Sequence, residues 1–330
     1  GNWIQLPDSA RWSMRNVPKV FTSWYYGRWQ VAATGLFTFV CMYFNCWMQV
    51  YAEKRAAVFH TIPKKYNMTQ ADRDALNTLP DLGFDFLPHL SQSWLADAWV
   101  LVFLAVTHLR FLGTPMGVTI FRRWLFCLGA LFFLRGISIV VTMLPNPLHT
   151  CDPTKTLDSI EEYGYFLSAG RILLGQLVTC SDVLYSGHTV NLTLCALMWH
   201  HYSHKKDAAL FACDPVGDRC CPDQPAENEA GHLVRTTTAK AVAWCYAIVG
   251  YVLIIATHFH YSVDVFIGFF MCFFFWKFYH YYLRTMYLDK EKAVNKLLIW
   301  AERDSEAFSL DADVVGRALS RWRNEGGGGE

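Results

Sequence analysis

Apolar and polar positions along the chain sort into six long apolar runs separated by polar stretches rich in charge. About 20 apolar residues, each rising about 1.5 Å, cross a hydrocarbon core about 30 Å thick, so runs of this length predict membrane-spanning helices. The first, Trp29–Tyr51, holds no charged residue. The second, Trp94–Leu112, carries Asp97, His108 and Arg110 near its ends, and the third, Trp124–Leu144, encloses Arg135. The fourth runs from about Ser186 to Tyr202 and has a histidine in its first turn. Val242–Thr257 and Tyr261–Leu283 complete the set, with almost nothing between them. The pattern predicts an all-α, polytopic membrane protein of six transmembrane helices. It divides into an interfacial segment over 1–28, a six-helix membrane domain over 29–286 and a tail over 287–330, where charged and apolar residues alternate as on a surface helix.

Composition supports the same class. Charged residues make up 17% of the chain and hydrophobic ones 53%, whereas soluble domains average about a quarter charged. Thirteen tryptophans, sixteen tyrosines and twenty-four phenylalanines exceed what one soluble core needs. Such rings gather at membrane–water boundaries, where an apolar body and a polar edge both find a suitable medium. The mean hydropathy of +0.16 then averages greasy spans over polar loops. A net charge of +1 offers nucleic acid no electrostatic footing, and no such partner is expected.

Sidedness follows from Lys and Arg in short flanks, which favour the cytosol. Arg11, Arg15, Lys19 and Arg28 precede the first run, Arg122 and Arg123 follow the second, and Lys205, Lys206, Arg219, Arg235 and Lys240 follow the fourth. With the basic tail, all fall on one side if six helices alternate, which places both termini in the cytosol. Lys54, Arg55, Lys64, Lys65 and Arg73 after the first run go against this pattern. That loop also carries Asn67-Met68-Thr69, a glycosylation acceptor usable only outside the cytosol. Cys151 and Cys180 bracket the outer segment before the fourth run; they read either as a disulfide of an oxidising compartment or as two thiols. Cys213, Cys220 and Cys221 fit no zinc spacing and lie in the expected cytosolic loop.

Ionisable groups within a membrane are costly, which makes each a functional candidate. Two clusters stand out, Cys180-Ser181-Asp182-Val183-Leu184-Tyr185-Ser186-Gly187-His188-Thr189 and His258-Phe259-His260-Tyr261-Ser262-Val263-Asp264. The alternating topology brings both to the outer membrane face. His260 and Asp264 are spaced to share one helical face, where the carboxylate fixes the ring tautomer and raises the basicity of the other nitrogen. Such a histidine attacks phosphorus or takes a proton from a hydroxyl, while His188 protonates the leaving oxygen. Gly187 lets backbone approach a phosphate, and Ser186 or Thr189 donates to it. Interfacial anchoring is the bland alternative for each histidine alone; it accounts poorly for both at one depth. His258 reads as a neighbour contact. Arg135 needs a carboxylate or a lipid phosphate. Asp182 suits either a cationic head-group amine or loop anchoring, and Tyr185 and Tyr261 either line a pocket or anchor helices.

Ser186-Gly187-His188-Thr189 followed by His260-Tyr261-Ser262-Val263-Asp264 resembles the sphingomyelin synthase family, within the type 2 phosphatidic acid phosphatase superfamily. That family pairs SGHT with HYTVD, preceded by Cys-x-Asp; here Cys180-Ser181-Asp182 has Ser where Gly is usual. Leu79-Pro80-Asp81-Leu82-Gly83-Phe84-Asp85 resembles its PLPD…FD segment, and Arg135-Gly136-Ile137 with Thr142-Met143-Leu144-Pro145 its third-helix motif. The resemblance implies a six-helix enzyme that moves phosphocholine, phosphoethanolamine or phosphoinositol from a glycerophospholipid to ceramide. It implies a catalytic triad of His188, His260 and Asp264 and no metal or other cofactor; the substrate-binding candidates read from the residues themselves are Arg135, Asp182, Tyr185, Ser186, Gly187 and Tyr261. It also implies a Golgi, ER or plasma membrane location with the site facing the lumen or exterior; the one protein partner left open is a second copy. The superfamily's phosphatases place an Arg six residues before the second His, where this chain has Ile254, and carry a basic first motif not found here. Those absences favour transfer to a lipid alcohol over hydrolysis of a phosphomonoester, whose greater charge needs more cations. A lipid phosphatase or phospholipase C-type hydrolase is the alternative.

Overall fold

A computed structural model of the chain describes residues 17–65, 79–114, 117–147, 154–180, 182–203, 229–285 and 293–302. These residues form helices and no strands, as the apolar runs predict. In chain order the helices are α1 (Val17–Lys65), α2 (Leu82–Phe86), α3 (Trp94–Leu112), α4 (Gly117–Val141), α5 (Thr154–Leu173), α6 (Gly187–Tyr202), α7 (Glu229–Ala256), α8 (Ser262–Thr285) and α9 (Ala293–Glu302). Asn67, Cys151, Ser181, the Cys213–Cys221 loop and most of the tail lie outside the described residues.

Among the described residues, five helices are long and apolar enough to cross a membrane: Trp24–Ala56, Trp94–Leu112, Gly117–Val141, Thr238–Ala256 and Ser262–Leu283. Lipid-facing residues such as Leu109, Val141 and Phe274 are exposed, the inverse of a soluble bundle. The fourth expected span is α6, whose 16 residues rise about 24 Å. This helix sits at the centre, with Leu192, Leu194, Cys195, Ala196, Leu197 and Met198 all buried. It runs parallel to α8, from Ser186 N donating to Asp264 O at one end to Tyr202 beside His280 at the other. A helix walled in by its neighbours needs no lipid-matched length of its own.

The outer segment after α4 holds α5, which hydropathy gives no reason to expect. Gly164, at φ 74°, turns it back on itself, a left-handed conformation that glycine adopts without a Cβ clash. Ser168 Oγ donates to Ser159 O at 2.9 Å across the turn, and Arg171 donates to Ser159 Oγ. Ile160 and Ala169 then pack against Cys46 and Val50 of α1.

Candidate active site

Both histidines stand at the ends of helices on one face of the bundle. The sequence spacing places His260 and Asp264 on one helical face, but α8 begins only at Ser262, so His260 lies outside the helix. A helix start, not a helix face, joins them. Asp264 Oδ2 accepts from Tyr261 N at 3.0 Å, the back-reaching contact of a third helical residue to its cap. The same oxygen lies 3.3 Å from His260 Nδ1, within ion-pair distance, although the ring N–H is not aligned on it as a hydrogen bond. Both side chains are buried. With Nδ1 turned to Asp264, Nε2 is the nitrogen turned away from that carboxylate.

His188 occupies the first turn of α6. Ser186 caps this helix, its Oγ accepting from Thr189 N at 3.2 Å. Gly187 and His188 N–H lie in the first turn, where a helix leaves donors without intrahelical partners, a setting suited to anions. His188 Nε2 meets Asp97 Oδ1 of α3 at 2.7 Å, which fixes that nitrogen's role and leaves Nδ1. The sequence offered His188 no partner, because Asp97 is 91 residues away and looks like an ordinary charge at a span end. The His188 and His260 rings are 6.1 Å apart, and Phe259 packs edge-on to His188 at 4.9 Å. Each histidine therefore has its own carboxylate, and the two rings stand close together.

Beneath this pair, Arg135 anchors the loop that delivers His188. Its Nε donates to Tyr185 O at 2.6 Å, and Nη2 donates to both Asp182 O and Asp182 Oδ2 at 2.9 Å. The carboxylate that Arg135 needs is thus Asp182, and both expected substrate contacts are engaged with each other. Asn45, Gln49 and Glu53, one turn apart on α1 and all buried, hold the same loop: Asn45 accepts from Arg135, Gln49 donates to Asp182, and Glu53 accepts from Cys180 N. That i, i+4, i+8 polar stripe is visible in the sequence once the loop is known to need partners. Cys180 is disulfide-bonded.

Tyr185 is fully buried with its ring in the apolar core, and burial pushes its hydroxyl well above the usual phenol range. Tyr261, also buried, accepts Leu79 N on its hydroxyl at 3.1 Å, so it anchors the segment before α2. Asp81 accepts from Gly83 N, Ser262 N and Ser262 Oγ, which ties α2 to the start of α8. His258, at φ 54°, stacks on Phe84 at 4.1 Å and is a neighbour contact as expected. The structure thus gathers His188, His260 and Asp264, adds Asp97, and sets Arg135, Asp182, Tyr185 and Tyr261 as their supports.

Comparison with known proteins bears out the resemblance in the motifs. Residues 179–215 and 228–281 match the family described as PAP2 superfamily C-terminal, and those stretches contain His188, His260 and Asp264. The chain is 31% identical over 202 residues to the phosphatidylcholine:ceramide cholinephosphotransferase 2 of Rattus norvegicus, covering 58% of this chain and 47% of the relative. It is 24% identical over 254 residues to the phosphatidylcholine:ceramide cholinephosphotransferase 1 of Homo sapiens, covering 74% of this chain and 54% of the relative. The chain spans about half the length of the curated relatives it matches.

Proposed function

We propose that this integral membrane protein, a relative of ceramide cholinephosphotransferases with a PAP2 superfamily C-terminal region, transfers a phospho-head group from a glycerophospholipid to ceramide and releases diacylglycerol. The observation that carries this reading is the pair of histidines with rings 6.1 Å apart, each held by its own carboxylate. In the first step His260 Nε2 attacks phosphorus and the bond from phosphorus to the diacylglycerol oxygen breaks. His188 Nδ1 gives its proton to that oxygen, while the first-turn N–H groups of Gly187 and His188 receive the phosphoryl charge. In the second step the now neutral His188 takes the proton of the ceramide primary hydroxyl. The freed oxygen attacks phosphorus, the phosphorus–nitrogen bond breaks, and both histidines return to their starting states. Asp264 and Asp97 hold the rings so that the working nitrogens face the substrate. Arg135 and Asp182 fix the loop, and Asp182 retains a partly exposed carboxylate edge toward a head group. The site faces the lumen or the exterior of a Golgi, ER or plasma membrane.

The test is to incubate the purified protein with fluorescent ceramide and, separately, phosphatidylcholine, phosphatidylethanolamine and phosphatidylinositol. A ceramide phosphodiester from one donor, reduced at least about a thousandfold by His260→Ala, is the expected result and names the head group. Diacylglycerol released without any ceramide product would make the protein a hydrolase instead. A two-step reaction also gives ping-pong kinetics and head-group exchange in the absence of ceramide; a direct displacement gives neither.

A further inference from the structure

α2 has no buried residue, yet half of it is fully employed. On its inner side Gly83 sits so close to α8 that a Cβ would come within 2.3 Å of Ser262 Oγ, and Phe84 stacks on His258. On its outer side Leu82 and Phe86, one turn apart, are 69% and 77% exposed. The mechanism uses neither side chain.

Two further observations say what covers them. The first is depth. Asp81 holds Ser262, the first residue of one membrane-spanning helix, and Leu90 N donates at 2.8 Å to Ala256 O, the last residue of another. α2 is therefore level with the outer ends of two spans, at the boundary between hydrocarbon and head groups. The second is continuity. Val263 and Phe266 of α8 and Trp94 of α3 are likewise exposed apolar residues, near the starts of the two spans that α2 adjoins through the Asp81–Ser262 bond and along the chain. Short apolar elements at this depth embed in the acyl boundary. Their distance from the chemistry is small, since Phe84 touches His258, two residues before His260.

We propose that Leu82 and Phe86 are embedded among the acyl chains of the outer leaflet, making α2 the lip over which a bilayer lipid reaches His188 and His260. The identity of that lipid rests on the transferase reading; the embedding rests on depth and exposure alone. An environment-sensitive fluorescent amino acid at position 86 of the full chain, reconstituted in phosphatidylcholine vesicles, tests it. Blue-shifted emission, quenched by acyl-chain bromines about 5–10 Å below the head groups, is expected. Water-like emission indifferent to brominated lipid would overturn the proposal. So would shielding lost on diluting the protein in the bilayer, which would mean that a second copy covers this face. With Leu82→Ser/Phe86→Ser, the ratio of ceramide product rate in vesicles to that in detergent micelles should fall about tenfold, and an unchanged ratio would sink the lip. If the parent protein makes no ceramide product with any donor, the transfer reading fails while the quenching experiment still decides where α2 lies.

Discussion

At the scale of single residues, the two histidines reach their carboxylates by routes of very different legibility. Asp264 follows His260 by four positions and was readable from spacing, although helix capping, and not a shared helical face, makes the contact. Asp97 meets His188 only because α3 and α6 begin at the same membrane face, and no local pattern announces a pairing across 91 positions. Its charge at a span end has an ordinary explanation in sequence, which hid the other. The geometry pairs Asp97 with His188 Nε2, and in the proposed reaction that contact turns Nδ1 toward the phosphorus. Asp97→Asn keeps size and polarity but lets the amide present N–H in place of an acceptor, so the ring loses its fixed orientation. The expected loss is about a hundredfold in kcat/KM for ceramide product. It should come with an unchanged thermal unfolding midpoint in detergent, because the Asp97 side chain is half exposed. A loss of less than about twofold would show that His188 needs no orienting carboxylate.

At the scale of elements, hydropathy found what is long and uniform and missed what is short. α3 matches its expected run at both ends, while α1 and α7 extend well past theirs, because a helix continues beyond the membrane as long as its residues permit. α2 and α5 went unseen, each too short or too mixed in polarity to stand out against the spans, whereas α9 falls in the tail whose alternating pattern suits a surface helix. α2 nevertheless matters to the site, since Asp81 ties it to the first turn of α8, where Asp264 supports His260. Gly83→Val tests that coupling. A valine Cβ would fall 2.3 Å from Ser262 Oγ of α8 and 2.7 Å from Ile255 Cγ2 of α7, so α2 or those side chains must shift. Transfer activity should drop about tenfold or more, while the bundle, whose core lies elsewhere, should lose only about 1–2 kcal/mol by chemical denaturation. Full activity in this variant would show that α2 does not position the second histidine.

For the whole molecule, the question is which side of the membrane the site faces. The basic loops gave a cytosolic side with one exception, the charges after the first run, and the structure supplies a local reason for two of them. Arg55 donates to Val140 O at 2.9 Å, at the carbonyl end of α4, and Lys54 lies 5.2 Å from the Tyr165 ring. A cation at a helix C-terminus or over an aromatic ring is favoured whichever side it occupies, so these two charges carry little information about orientation. Arg122 and Arg123 lie at the far end of the bundle, where Arg123 reaches Tyr202 OH, one full helix from His188. The disulfide at Cys180 belongs to the site's end and calls for an oxidising compartment. If α6 counts as the sixth span, as its course beside α8 from Asp264 to His280 supports, the start of α1 and the end of α8 share the arginine side. We therefore expect the site to face the lumen. Ser91, exposed between α2 and α3, reports this directly. In sealed, cytosolic-side-out microsomes, Ser91→Cys should gain no label from a membrane-impermeant maleimide beyond that of the parent protein, and should gain it once detergent opens the vesicles. Labelling before permeabilisation would reverse the orientation. It would also require ceramide and its phospholipid donor to be drawn from the cytosolic leaflet.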